Sequence, residues 1–262
     1  MKISTIFRNK VLDKRRDKFI KYTLSLIFWL LVWQILSMVV DQEILLVSPL
    51  LAVKTMFVMA ADISFWQSIF NSFVRVFLGL FLGFVLGTGL AIMSYRSRTI
   101  KILLEPLILT IQTVPVVSFI IIFLIWIKPS NLSVLVSFLM VSPIFYRNVY
   151  GGLSSIDREI LDLARVYKVS TYKKIRYIYF SRIETSLRSA CEVGLGFCWK
   201  SGIAAEVIGM PTNTIGEKLY ESKIYLNTSQ LFAWTITIIL LSLLFKWVFM
   251  KVLGCIFESL EL

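Results

Sequence analysis

The chain contains no histidine, so the commonest metal ligand and the commonest acid–base group near neutral pH are both missing. With no H-E-x-x-H and no G-x-S-x-G, an intramembrane enzyme would have no visible zinc site or nucleophile elbow. None of the twelve glycines begins a G-x-x-x-x-G-K-[ST] stretch, so nothing here cradles ATP phosphates in the P-loop manner. Cysteine is scarce: Cys191, Cys198 and Cys255 all fall in apolar stretches. They form no disulfide framework and no metal-spaced pair, and they read as buried structural thiols. No catalytic, cofactor-binding or metal residue is assigned.

What is present is apolar. Of 262 residues, 57% are hydrophobic and 14% aromatic, and mean hydropathy is +0.78, which marks a membrane protein. The net charge of +12 would suit a nucleic-acid binder if it formed one patch. The basic residues lie instead between apolar runs, so no nucleic-acid partner is expected. Runs of about 20 apolar residues match a hydrocarbon core about 30 Å thick. About six occur, near 22–40, 69–93, 104–127, 132–146, 183–208 and 231–253.

Lysine and arginine orient the spans, because cytoplasmic loops retain them. Residues 1–21, 94–103 and 147–182 hold nineteen, whereas 41–68, 128–131 and 210–229 hold four: Lys54, Lys128, Lys218 and Lys223. Both termini are therefore expected in the cytoplasm. The chain reads as an all-α membrane protein: a basic tail at 1–21, one transmembrane domain at 22–255 with a cytoplasmic loop at 147–182, and a short tail at 256–262. The first span ends without a small-x-small cleavage site and reads as an uncleaved anchor.

Positive-inside bias accounts for Lys173, Lys174 and Arg176, but not for the loop's length or pattern. In "SSIDREILDLARVYK" the residues Ile156, Ile160, Leu163, Ala164 and Tyr167 recur at three- and four-residue intervals, predicting a short helix with one apolar stripe. Ser154 is placed to cap it, with Asp157 three residues on. Too short to cross a bilayer, such a helix lies on the membrane surface or docks in a groove of another protein.

These residues resemble the membrane-spanning permease subunit of a bacterial ATP-binding-cassette importer. The family signature in this loop runs E-A-A, three residues, G, nine residues, I-x-L-P. Here Asp162-Leu163-Ala164 occupies the first element, Lys168 the glycine and Ile178-Tyr179-Phe180-Ser181 the last. Only Ala164 and Ile178 are identical. Lys168 and Ser181 depart most, since glycine permits a left-handed turn and proline stiffens an exit. "LVSPLLAV", "SFVRVFLGLFLGFVLGTGLAIM", "LEPLILTIQTVPVVSFIIIFLIWI", "VSPIFYRNVYGGLSSIDREILDLARVY" and "WKSGIAAEVIG" resemble successive segments of the branch carrying nitrate, sulfonates, taurine, bicarbonate and pyrimidine precursors.

The resemblance implies a type I importer permease (MetI-like) fold in the bacterial cell membrane, bound by membrane lipid. It implies a second permease subunit, identical or not, a cytoplasmic ATPase and an extracytoplasmic solute-binding protein. ATP and Mg would sit on the ATPase and no cofactor on this chain. Ile160, Asp162, Leu163, Ala164, Tyr167, Lys168 and Ile178 would couple to the ATPase. Glu206, aligned with the glutamate of the family's A-A-E, would hold the outer gate.

Within the spans, Ser186, Ala190, Gly194, Cys198 and Gly202 repeat small residues at every fourth position, as do Gly79, Gly83 and Gly87. For the second span this predicts close helix packing; for the fifth, packing and a pathway lining both remain open. Glu184, Arg188 and Glu192 stack on one face and can form two local ion pairs, and Arg75 is placed to snorkel to the interface. Lys200 either favours an anion in an aqueous path or pairs with a carboxylate elsewhere. A transporter or channel working alone, with Lys200 and Glu206 as coupling groups, is the alternative; it leaves the loop helix unexplained.

Overall fold

The computed structural model describes the backbone of residues 2–261 and the side chains of residues 20–257 and 259. The side chains of the basic tail up to residue 19 lie outside the described residues. Every regular element is helical among the described residues: α1 Lys2–Val40, α2 Pro49–Met59, α3 Ile63–Arg96, α4 Arg98–Thr113, α5 Val116–Phe123, α6 Pro129–Ser154, α7 Arg158–Val166, α8 Thr171–Lys174, α9 Phe180–Gly209, α10 Ile215–Ile224 and α11 Thr228–Glu261. A single π-helical turn, Ile175–Tyr179, joins α8 to α9.

α6 is the centre of the bundle, packed against α3 on one side and α9 on the other. The reason is in the small residues. A Cβ on Gly79 would meet Ser137 Cβ at 2.5 Å and Val134 O at 2.6 Å, and one on Gly87 would meet Ser142 O at 2.5 Å. The α3 backbone thus lies directly on α6, as the glycine repeat predicts. Asp62 caps α3 by accepting from Ser64 N at 3.1 Å and Ser64 Oγ at 2.9 Å, and these bonds hold its carboxyl below the usual range. By contrast α1 touches the rest of the chain lightly: Trp33 Nε1 donates to Val47 O at 3.0 Å and Ser37 Oγ to Leu46 O at 3.1 Å.

The six expected spans coincide only in part with single uninterrupted apolar helices among the described residues. Four helices are long and apolar enough to cross a bilayer alone, Ile20–Val40, Ile63–Arg96, Pro129–Ser154 and Thr228–Phe257. The expected span at 104–127 is two helices, α4 and α5, bent by 100°. Pro115 is the cause: it disfavours helical backbone in the residue before it, and Val114 is extended, with φ −74 and ψ 132. Pro143 leaves α6 unbroken; the carbonyl four residues back, Leu139 O, accepts from Ser142 Oγ at 3.5 Å. α9 has 30 residues, long enough to span at 1.5 Å per residue, yet carries Glu184, Arg188, Glu192, Lys200 and Glu206.

The loops are more ordered than sequence suggests. α6 runs eight residues beyond the expected end of span four at Tyr146, so the loop proper begins after Ser154. α2 and α10 fill the connections at 41–68 and 210–229. The residues expected as a C-terminal tail continue α11 through Glu261. Cys191 and Cys198 are buried, but Cys255 is exposed.

Candidate functional site

The loop predicted to hold an amphipathic helix does hold one, with different ends. Asp157, not Ser154, is the cap of α7, accepting from Glu159 N at 3.0 Å; Ser154 is the last residue of α6. The predicted stripe divides between two faces. Ile156 and Ala164, 7% and 8% exposed, turn inward, as does half-buried Leu161. Ile160, Leu163, Val166 and Tyr167, 42%, 56%, 75% and 77% exposed, form an outward apolar face. Val166 was not in the predicted stripe, although it stands three residues after Leu163. Asp162 is exposed and pairs with Arg165 at 3.2 Å, a surface pair of small energetic weight.

α7 ends in a Schellman arrangement. Lys168 has φ 50, its N–H donates to Arg165 O at 3.1 Å, and Val169 N donates to Ala164 O at 3.0 Å. A lysine therefore holds the left-handed position that glycine fills without a Cβ penalty. Ile178 is partly buried against the core, so it does not share the outward face. Ser181 keeps the N–H that proline lacks, and the chain passes through the π-helical turn into α9 without a break. Tyr179 packs edge-on against Tyr95 of α3 at 6.2 Å, and Phe180 against Phe257 of α11 at 5.5 Å.

At the opposite end of α9, Glu206 is wholly buried. Its Oε2 accepts from Ser72 Oγ of α3 at 2.6 Å and from Gly216 N of α10 at 3.3 Å. Ser72 Oγ in turn accepts from Ile215 N at 2.9 Å. Gly216 presses on Glu206 so closely that a Cβ there would overlap the glutamate side chain and meet Val207 N at 2.5 Å. Met210, with φ 48, ends α9 by donating its N–H to Glu206 O at 2.8 Å, which turns the chain back toward α10. Sequence reasoning named Glu206 and missed Ser72 and Gly216; Ser72 lies on the same face of α3 as Val76 and Gly79, a signal that was available.

Further buried polar atoms lie on α3, α6 and α9. Glu206 Oε1, Arg75 Nη1, Ser133 Oγ and Trp199 Nε1 have no hydrogen-bond partner among the described residues. Arg75 is half-buried with one enclosed guanidinium nitrogen. Trp199 packs among Phe73 and Phe245 rather than at an interface.

The two open readings of the α9 small-residue stripe resolve to packing. Cys198 O accepts from Ser137 Oγ at 3.2 Å, and a Cβ on Gly202 would meet Ser137 Oγ at 2.6 Å and Ser133 Oγ at 3.2 Å. The other face of α9, with Glu192, Val193, Gly196, Phe197 and Lys200, is exposed. Gly196 has nothing within 4 Å of a built Cβ, and Lys200 makes no ion pair with a carboxylate of this chain among the described residues. Lys200 and Glu206 thus occupy opposite environments on one helix. Of the two ion pairs expected near the start of α9, Glu184–Arg188 forms at 3.0 Å, and Glu192 stays exposed.

The family described as "Binding-protein-dependent transport system inner membrane component" matches residues 79–252. A Bacillus subtilis (strain 168) protein described as an aliphatic sulfonates transport permease, SsuC, is 21% identical over 150 residues. That match covers 56% of this chain and 54% of SsuC, so the chain spans about half the length of that relative. A solved structure described as an amino acid ABC transporter with histidines superposes with a TM-score of 0.58 at 18% identity, covering 78% of this chain and 96% of that one.

Proposed function

We propose, from the premise that the chain belongs to the family of binding-protein-dependent transport system inner membrane components, that it forms the membrane-spanning pathway of an ATP-binding-cassette importer. Its fold is the type I importer permease (MetI-like) fold. The observation that carries the reading further is α7, a short helix whose Leu161 and Ala164 turn inward behind the buried Ile156, while Ile160, Leu163, Val166 and Tyr167 are presented outward. An amphipathic helix offered in this way suits a hydrophobic groove on a partner, and a separate ATPase carrying ATP and Mg is the partner proposed. The basic content of residues 94–103 and 147–182 supports a cytoplasmic position for α7.

A lysine on an exposed helix face within the bilayer needs water or another protein to cover it. We read the Val193, Gly196, Phe197 and Lys200 face as meeting a second permease subunit across an aqueous path, where the lysine favours an anionic solute. The likeness to SsuC supports a sulfonate. Glu206, on the side proposed to face the solute-binding protein, ties α9 to α3 and α10 and so holds the outer end of the path together.

The test is reconstitution of the chain in proteoliposomes with its ATPase and solute-binding protein. ATP-dependent uptake of an alkanesulfonate, absent when the ATPase is withheld, is the expected result. Uptake driven by an ion gradient with this chain alone would establish the stand-alone transporter instead.

A further inference from the structure

The α9–α11 side of the bundle holds a concentration of positive charge that transport does not use. A shallow, open cleft of about 420 Å³ lies where Arg188 of α9 meets α11, lined by Arg188, Leu243, Lys246, Trp247, Met250 and Lys251. Three of the six side chains are cations and none is an acid. Arg188 is engaged at one edge by Glu184 at 3.0 Å, and its guanidinium lies 5.8 Å from the Phe257 ring. Lys251 Nζ stands 4.0 Å over the Trp247 ring. Lys246 is half-buried and meets no carboxylate among the described residues. Even after Glu184 is counted, about two positive charges face the cleft uncompensated.

Position decides what can neutralise them. Lys246 and Lys251 lie inside the apolar stretch Thr228–Phe257, where an ionisable side chain requires a partner. Their neighbours in the lining are apolar, and Trp247, 57% exposed, has the amphipathic ring that settles at headgroup level. Two other cavities lack this combination. The one between α4 and α6 sets Glu105 beside Lys101 and Arg147, so its charge is partly cancelled from within. The groove formed by Phe77, Leu80, Phe81, Phe84 and residues of α11 has no charged lining.

We infer that the α9–α11 cleft binds the phosphate-bearing headgroup of an anionic phospholipid in the leaflet on the α7 side. Lys246 and Lys251 hold the phosphate, Trp247 stacks along the glycerol region, and Leu243 and Met250 lie against the acyl chain. A cleft opening sideways between two membrane-spanning helices admits a lipid by lateral diffusion. A free phosphate would have to leave water to reach it. The bound lipid would bridge α9, which carries Lys200 and Glu206, to α11.

Native mass spectrometry of the detergent-solubilised full chain, with phosphatidylglycerol and phosphatidylcholine supplied together, tests this. Each lysine near an anionic headgroup contributes about fivefold in affinity, so Lys246→Gln/Lys251→Gln is expected to reduce phosphatidylglycerol retention about thirtyfold. Lys246→Arg/Lys251→Arg and Lys101→Gln are expected to retain it, and millimolar inorganic phosphate is expected not to displace it. Should the double glutamine variant fail to fold by circular dichroism, the single Lys251→Gln change at an exposed position carries the test, with about a fivefold loss. Equal retention of the two lipids would overturn the inference. So would phosphatidylglycerol binding that survives the glutamine variants, or its displacement by inorganic phosphate.

Discussion

The Ser72 hydroxyl donates to Glu206 Oε2 at 2.6 Å while accepting from Ile215 N at 2.9 Å, so one small side chain joins α3, α9 and α10. Removing it leaves a buried carboxylate oxygen and a buried N–H each short of a partner, at a cost of about 1–3 kcal/mol. Ser72→Ala is expected to lower the thermal midpoint of the solubilised chain by roughly 2–6 °C. Gly216→Ala should lower it further, since the new methyl overlaps Glu206. Unchanged melting by circular dichroism in both variants would refute the three-helix link.

The outward face of α7 gives a different readout. Leu163→Asp or Tyr167→Ala is expected to reduce co-purification of the ATPase by about thirtyfold, in line with the ~2 kcal/mol or more of a central interface residue, with membrane insertion and melting unchanged. Ala164→Asp acts otherwise: with only 8% exposure, it should also lower the melting temperature, because it forces a carboxylate against the chain's own body. Full ATPase capture by Leu163→Asp would remove α7 from the coupling role.

Lys168 occupies a left-handed conformation, φ 50, that an L-residue adopts at a cost of roughly 1–2 kcal/mol. Lys168→Gly is expected to stabilise the end of α7 by about 1 kcal/mol, visible as slower amide exchange in residues 163–169. Lys168→Ala removes the charge and keeps the Cβ, so it should give no gain. Equal protection in both variants would attribute the effect to charge.

Glycines on α3 predict a position-dependent series. Gly79→Ala and Gly87→Ala each place a methyl within 2.6 Å of the α6 backbone, and overpacking of this kind costs about 1–3 kcal/mol. Gly89→Ala meets nothing within 4 Å and should be neutral or stabilising by a few tenths of a kcal/mol. A melting series in which Gly89→Ala is the most harmful would contradict the helix contact described.

Lys200→Gln shortens the side chain by one atom, keeps its end polar and removes its charge. Loss of a charged hydrogen bond to an anionic solute, about 1.5–3 kcal/mol, corresponds to at least tenfold slower uptake at limiting solute, with the complex still assembled. Normal sulfonate uptake by an assembled Lys200→Gln complex would exclude the lysine from the path.

Much of this protein was legible from periodicity. The apolar runs, the glycine face of α3 and the existence of α7 follow from spacing alone, because a helix repeats every 3.6 residues whatever surrounds it. The left-handed position at Lys168 was legible only against the family's glycine, since lysine itself carries no such signal. What periodicity could not say is which side of a stripe faces the chain's own core. Ala164 and Leu163 are adjacent in sequence and both apolar, yet one is buried and the other exposed, and that division depends on where α7 rests. The 100° bend at Pro115 and the unbroken course of α6 through Pro143 make the same point. Either proline removes one donor, but whether the helix continues depends on what the freed carbonyl meets and how neighbouring helices hold the two halves. Sequence by itself determined that the chain lies in a bilayer and with which family it stands. Tertiary structure alone decided that Glu206 is latched to Ser72 and Gly216 while Lys200 faces outward, because the bond from Ser72, 134 positions away, and the one from the next helix exist only once the helices have packed.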